Sequence, residues 1–232
     1  KPSINLYKSH IWILLIFTAG SILLTSGLLL SVQYIDASLA ILIFCTYPIL
    51  VLIASIFIDK EKIKTNIKIV FLITFLGLFL VLGPSFKDLN IIGISSAFIG
   101  SIGATIIILA NQKLSNNNMS SIHINAFTNY FNLIFFTIFI GFFFEFSINI
   151  DIKTWLIILI PSLCYALAFF LQLSAIPRIG QSKTALLLYG EPVVTILTAT
   201  ILLKENLNLY QLVGATIVIG SLVFATYQTN KN

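Results

Sequence analysis

Apolar positions along this chain follow neither the three-to-four spacing of an amphipathic helix nor the alternation of a half-buried strand. They come in long blocks of Ile, Leu, Val and Phe. A helix needs about 20 largely apolar residues to cross a hydrocarbon core. Stretches of that length, essentially free of Asp, Glu, Lys and Arg, recur at approximately 10–33, 37–58, 67–85, 89–112, 122–145, 154–176, 182–203 and 208–228. The pattern therefore predicts eight transmembrane helices. Strands of a membrane barrel would be about 10 residues long and would alternate strictly, which these runs do not.

The gaps carry turn and charge signals and are short: Tyr34-Ile35-Asp36, Asp59-Lys60-Glu61-Lys62, Gly83-Pro84, Ser115-Asn116-Asn117-Asn118, Asn149-Ile150-Asp151 and Pro177-Arg178-Ile179-Gly180. None is long enough for a soluble domain, so the chain reads as one membrane-embedded unit. Composition points the same way. Of the 232 residues 58% are hydrophobic and 9% charged, against about 25% charged in soluble domains. A soluble globule could not be covered with so little charge, and with twenty Phe the chain could not stay disordered. Cys45 and Cys164 both fall inside apolar runs and read as small buried hydrophobes.

The net charge of +5 does not describe a nucleic-acid surface, because the basic residues punctuate the chain instead of clustering on one face. Threaded through eight spans, Lys1, Lys8, Lys60, Lys62, Lys64, Lys68, Lys113, Arg178, Lys183 and Lys231 fall on one side, and Lys87, Lys153 and Lys204 on the other. Basic residues are retained in the cytoplasm, so both chain ends are expected there.

Sliding the chain against itself by 144 positions superposes Pro48 on Pro192, Lys60-Glu61 on Lys204-Glu205, Ser38 on Ser182 and Ile35 on Ile179. With one residue of slippage Trp12 meets Trp155 and Gly77 meets Gly220. The register spans three helices and two loops, and it implies a five-helix unit. An odd number of helices makes the two copies enter the membrane from opposite sides, a device of secondary transporters with a site near the midplane. Residues 1–86 then hold a partial first repeat, parental helices three to five, and 87–232 a complete second one. The expected fold is an all-α polytopic membrane protein, eight helices of a ten-helix inverted 5+5 bundle whose first two would precede Lys1.

The segments Ala37-Ser38-Leu39-Ala40, Tyr47-Pro48-Ile49 and Asp59-Lys60-Glu61 carry a resemblance. So do Gly180-Gln181-Ser182-Lys183-Thr184, Gly190-Glu191-Pro192-Val193-Val194, Lys204-Glu205 and Gln211-Leu212-Val213-Gly214. With them the chain resembles the EamA-type family of the drug/metabolite transporter superfamily, over nearly its whole length. The resemblance implies a bacterial inner-membrane exporter or exchanger of small metabolites, embedded in the lipid bilayer, with a small-molecule substrate. It does not separate amino acids, drugs, sugars and nucleotide derivatives. A homodimer is compatible with such a bundle.

Glu191 is the most costly residue for a bilayer. It falls about 13 Å along its span, and an acid there costs roughly 2–3 kcal/mol unless it faces protein or water. It reads either as a recognition or coupling group or as a neutral acid bonded to a neighbouring helix. Pro48 and Pro192 each remove a backbone donor mid-span, so both helices should bend at one depth, as hinges beside a central cavity or as kinks that shape packing. Helical spacing aligns Thr184, Leu188, Glu191, Thr195 and Thr198 in one stripe, Ser162, Tyr165, Phe169 and Gln172 in a second, and Asn125, Asn129 and Asn132 in a third. These stripes should point inward. Tyr47 and Tyr189 offer aromatic walls beside the prolines. Ser96, Gly100 and Ala104 make a ridge for close helix contact.

Asp36 and Arg178 stand at span ends on opposite sides, as solvated loop charges or guards of two entrances, while Glu61 and Glu205 are expected to cap the helices that follow them. No Gly-rich phosphate loop is present, and His10 and His123 lack ligands at metal spacing. No enzyme chemistry, cofactor, metal or nucleic-acid partner is expected.

The resulting expectation is a secondary transporter working by alternating access on small metabolites such as amino acids or drugs. The substrate contacts would come from Glu191, Tyr189, Tyr47, Tyr165, Gln172, Thr195 and Asn129, with Pro48 and Pro192 as hinges. A nucleotide-sugar or phosphate-ester exchanger would want cations deep in the membrane, which Arg178 and Lys183 do not supply. A remnant or assembly partner that does not itself transport is the alternative from another class.

Overall fold

The computed structural model of the chain describes residues 4–58, 60–86, 89–143, 151–203 and 207–230. Regular structure among them is entirely helical. In chain order the elements are α1 (Ile4–Ser9), α2 (Ile11–Ser31), α3 (Ala37–Phe44), α4 (Tyr47–Phe57), α5 (Thr65–Leu82) and α6 (Ile91–Asn116), then α7 (Ser121–Phe143), α8 (Ile152–Ile179), α9 (Gln181–Leu187), α10 (Gly190–Leu203) and α11 (Leu209–Asn230). Eight spans are long and apolar enough to cross a membrane, with α3–α4 and α9–α10 each forming one of them. These are the eight the hydrophobic blocks define. The protein is an all-α polytopic membrane protein. The short α1 has no counterpart in the block pattern, since it adds too few apolar residues to be seen. Asp59, Lys87, the 144–150 stretch with Asn149-Ile150, Lys204-Glu205 and the terminal Lys1 and Lys231 lie outside the described residues.

Among the described residues side-chain caps open four helices, among them α11, where Asn208 accepts from the backbone N–H of Gln211 at 2.8 Å. Asp36 accepts from the backbone N–H of Ser38 at 2.9 Å and of Leu39 at 3.3 Å, Asn90 from Ile92 at 2.8 Å, and Asp151 from Thr154 at 3.1 Å. Asp36 is therefore a helix cap. At Asp151 the Thr154 hydroxyl and then the Thr154 N–H hold the carboxyl below its ordinary range, so the cap stays ionised. Glu61 departs from expectation. Lys64 is the N-cap residue of α5 and has no side-chain cap bond, whereas the Glu61 carboxylate accepts the Ser182 hydroxyl at 2.8 Å. The acid thus serves a helix distant in sequence, because the chain leaves α4 toward α9 before turning into α5.

Two antiparallel helix pairs make the frame. In the first, α2 and α6 approach until a Cβ on Gly103 would stand 2.5 Å from the Gly20 carbonyl oxygen, and one on Gly27 2.7 Å from the Gly100 nitrogen. The predicted ridge is present, with Ser96 and Gly100 set against Gly27, while Ala104 turns into the adjoining core. The second pair, α5 and α11, crosses where a Cβ on Gly214 would meet the Gly77 carbonyl oxygen at 2.6 Å. Without water to drive association, such close backbone approach is how helices gain dispersion contact in lipid.

A first apolar core joins Leu14, Phe17, Ile107, Leu114, Leu173 and Ile176; a second joins Phe71, Leu78, Leu186, Tyr189, Val193 and Val218. In contrast, α7 and α8 bury only 6% of their apolar windows within the chain. Cys45 is buried as read, but Cys164 is exposed, because it lies on the face of α8 that no described helix covers.

Inside α8, Pro177 has no N–H for the Leu173 carbonyl one turn back. Asn111 on α6 donates Nδ2 to that carbonyl at 2.9 Å and Ser121 on α7 donates its hydroxyl at 3.2 Å. Proline chemistry thus becomes a three-helix tie. Asn111→Leu is expected to lower stability by about 1 kcal/mol. Pro177→Ala should restore the helical N–H and shrink that loss in the double variant, measured as a thermal-unfolding cycle in detergent. Equal losses with and without Pro177 would contradict the tie.

Candidate transport site at the two helix breaks

The spans that carry Pro48 and Pro192 are interrupted, not merely bent, whereas α8 runs unbroken through Pro161 and Pro177. The first breaks between Phe44 and Tyr47, the second between Leu187 and Gly190. The breaks stand 143 positions apart, Phe44 to Leu187 and Tyr47 to Gly190, within the slippage the internal repeat allows. Each proline sits in the first turn of the second half-helix, Pro48 just after Tyr47 and Pro192 just after Glu191. A missing N–H costs least there, because first-turn donors have no intrahelical partner. Gly180, between α8 and α9, has φ +88° and ψ 155°, a conformation close to glycine-only.

The two broken spans run antiparallel. The segment leaving α4 meets the start of α9 through the Glu61–Ser182 hydrogen bond, while the breaks themselves meet at mid-span. At this junction Glu191 stands close enough to Cys45, Tyr47 and Tyr165 for its charge to act on all three, and Tyr189 is similarly near Cys45 and Tyr47. Tyr47 tilts against Phe44 at 5.1 Å, and Tyr189 packs on Phe71 and Phe75 at 6.4 Å each. The Tyr189 hydroxyl is buried with no hydrogen-bond partner among the described residues, a group that gains from any polar ligand reaching it.

Glu191 occupies the second position of α10, where the aligned peptide dipoles favour a negative charge. Its side chain is exposed and, among the described residues, its carboxylate has no hydrogen-bond or ion-pair partner. Beside it, Tyr165 is 62% exposed and stacks on Phe169 with ring centres 6.1 Å apart. Gln172, two turns from Tyr165, is half-buried. Of the residues singled out in sequence, Glu191, Tyr47, Tyr165 and Tyr189 therefore come together, with Pro48 buried and Pro192 half-buried at the breaks.

Other residues do not join them in the expected way. The hydroxyl stripe assumed a continuous helix. The break places Thr184 on α9, buried and bonded to the Gly180 carbonyl at 2.8 Å, away from the acid. Thr195 keeps its place one turn beyond Glu191 but donates to that residue's own carbonyl at 3.0 Å. Asn129 is exposed and donates to Asn125 at 2.9 Å, while Asn132 bonds Ser21 on α2 at 2.7 Å. Only Asn132 of that stripe makes the inward bond expected of all three. The asparagines serve α7 and its neighbour, and no described contact joins Asn129 to Glu191. Among the described residues no group of His, Cys, Asp and Glu could hold a metal ion.

Sequence reasoning missed the support of the first break. Thr46 and Ser101 on α6 share a hydrogen bond at 2.8 Å, and the Thr105 hydroxyl reaches the Tyr47 carbonyl at 3.5 Å. The signal was available as small polar residues four apart on α6, one position round from the Ser96–Gly100 ridge. Cys45 was missed as well, its burial read correctly but its place between the breaks unforeseen.

Residues 91–227 match the EamA-like transporter family. The chain is 27% identical to the "Uncharacterized transporter YetK" of Bacillus subtilis (strain 168), over 97% of this chain and 71% of that protein. A solved crystal structure superposes with a TM-score of 0.79 at 15% identity, covering 93% of this chain and 78% of that one. That likeness concerns the fold.

Proposed function

We propose, from the premise that this chain belongs to the EamA-like transporter family and is a membrane transporter rather than an enzyme, that it moves small amine-bearing metabolites, amino acids first, by alternating access. One observation carries the reading. At the meeting point of two antiparallel broken helices, an exposed carboxylate with no partner among the described residues stands near Tyr47 and Tyr165. A carboxylate there receives an ammonium or other cationic group, and the flanking rings add cation–π attraction. The Tyr189 hydroxyl offers a neutral contact behind them, with Gln172 at the far end of the same α8 face. Pro48 and Pro192 serve as the points about which the half-helices change their relative tilt.

The antiparallel packing of α5 on α11, and of one broken span on the other, supports residues 1–86 as part of one inverted repeat and 87–232 as the other. The ten basic residues on one side support a cytoplasmic placement of that side and of both ends, in a bacterial cell membrane.

Counterflow in proteoliposomes tests the substrate class. Vesicles loaded with single amino acids, simple amines, sugars or nucleotide sugars are exposed to the same labelled compound. Exchange is expected for amino acids or amines and not for sugars or nucleotide sugars. Exchange confined to the phosphorylated compounds would sink the reading.

A further inference from the structure

Beyond the central breaks, a cleft of about 410 Å³ opens at the basic end of the bundle, between the 61–64 segment, the α8–α9 junction and the last turns of α11. Lys62, Lys64, Arg178 and Lys183 line it, with Glu61 as the single acid among the described lining residues. The carboxylate of Glu61 is already engaged by Ser182, itself buried at 4% exposure. Lys62, Arg178 and Lys183 are exposed and form no ion pair among the described residues. Four cations from three separate segments therefore converge on one cleft, beside the part-buried Glu61–Ser182 hydrogen bond.

The rest of the lining is apolar. Ile63, Ile67, Leu186 and Ala225 form its floor, and Ile179 and Leu187 carry it outward, 40% and 44% exposed. The cations belong to helix ends, at the level where a bilayer changes from headgroup to hydrocarbon. A binding place for a free anion would need the charges but gains nothing from the aliphatic wall. A phospholipid uses both, its phosphate on the cations and an acyl chain along Ile179 and Leu187.

We propose that this cleft is a binding site for one anionic phospholipid, whose phosphodiester sits between Lys62, Arg178 and Lys183. Occupied, the site joins the segment after α4 to the start of α9, on the side where Glu61 and Ser182 already connect the two broken spans. The site stands apart from Glu191 and does not depend on which substrate the protein carries.

Native mass spectrometry of the purified protein in neutral detergent provides the test. Phosphatidylglycerol and phosphatidylcholine of matched chains are titrated together, with inorganic phosphate in a separate arm. One phosphatidylglycerol is expected to remain bound at least tenfold more tightly than phosphatidylcholine. The double variant Arg178→Gln, Lys183→Gln should erase that preference, and Arg178→Lys, Lys183→Arg should keep it, which separates lost charge from lost folding. Equal retention of both lipids, or a preference the Gln variant leaves intact, overturns the site. If millimolar inorganic phosphate displaces the lipid completely, the cleft is a phosphate site and the lipid assignment fails.

Discussion

Glu191→Gln is expected to abolish substrate exchange while leaving the amount of folded protein in the membrane unchanged. Gln has nearly the same shape and keeps a hydrogen-bonding tip, so the break between α9 and α10 loses no packing. What it loses is the charge. A charge-assisted bond to a substrate ammonium contributes about 2 kcal/mol, roughly thirtyfold in affinity. Glu191→Asp, which keeps the charge on a shorter stem, should retain part of the activity. Counterflow by the three proteins at equal reconstituted density makes the measurement. A Gln variant that exchanges at the parent rate would show Glu191 to be a first-turn acid that merely complements the α10 dipole.

Gly103→Leu should cost the protein its fold. A Cβ at that position would meet the Gly20 carbonyl oxygen and the Leu24 nitrogen, both at 2.5 Å. These are backbone atoms and cannot swing aside, so α2 must move away from α6 along the length of their contact. Overpacking of this kind costs about 1–3 kcal/mol even for a single added group in a tolerant core, and a leucine adds three carbons beyond the Cβ. Gly141 on α7 is the internal control, since among the described residues nothing lies within 4 Å of where its Cβ would be. Gly141→Leu is expected to unfold at the parent temperature and Gly103→Leu to aggregate or melt well below it, followed by fluorescence-detected size exclusion on heating. Equal melting of the two would mean that the α2–α6 interface does not control stability.

The site itself was half legible. Glu191 stood out because an acid amid an apolar block must have a reason, and Pro48 and Pro192 marked the depth of the breaks because proline cannot donate to the turn before it. Tyr47 and Tyr189 followed from adjacency. What misled was the assumption of uninterrupted helices. Spacing by three and four aligned Thr184 with Glu191, yet the interruption from Leu188 to Tyr189 separates the two and turns Thr184 back onto Gly180. Asn125, Asn129 and Asn132 form a real stripe, but helical spacing cannot tell an asparagine that lines a cavity from one that bonds its own helix or the next.

Taken alone, the sequence determined the number of spans and marked, by Pro48 and Pro192, the two that are interrupted. Each depends on a property carried by the residues themselves: transfer of apolar length into lipid and the missing N–H of proline. The tertiary structure decided which faces meet. It set Gly27 and Gly103 against backbone, gave the Leu173 carbonyl to Asn111, turned Glu61 toward Ser182, and left Glu191 exposed beside the first break. In a chain apolar on nearly every face, hydropathy cannot rank those faces. The choice falls to close backbone approach and to a few hydrogen bonds, which exist only once distant segments are brought together.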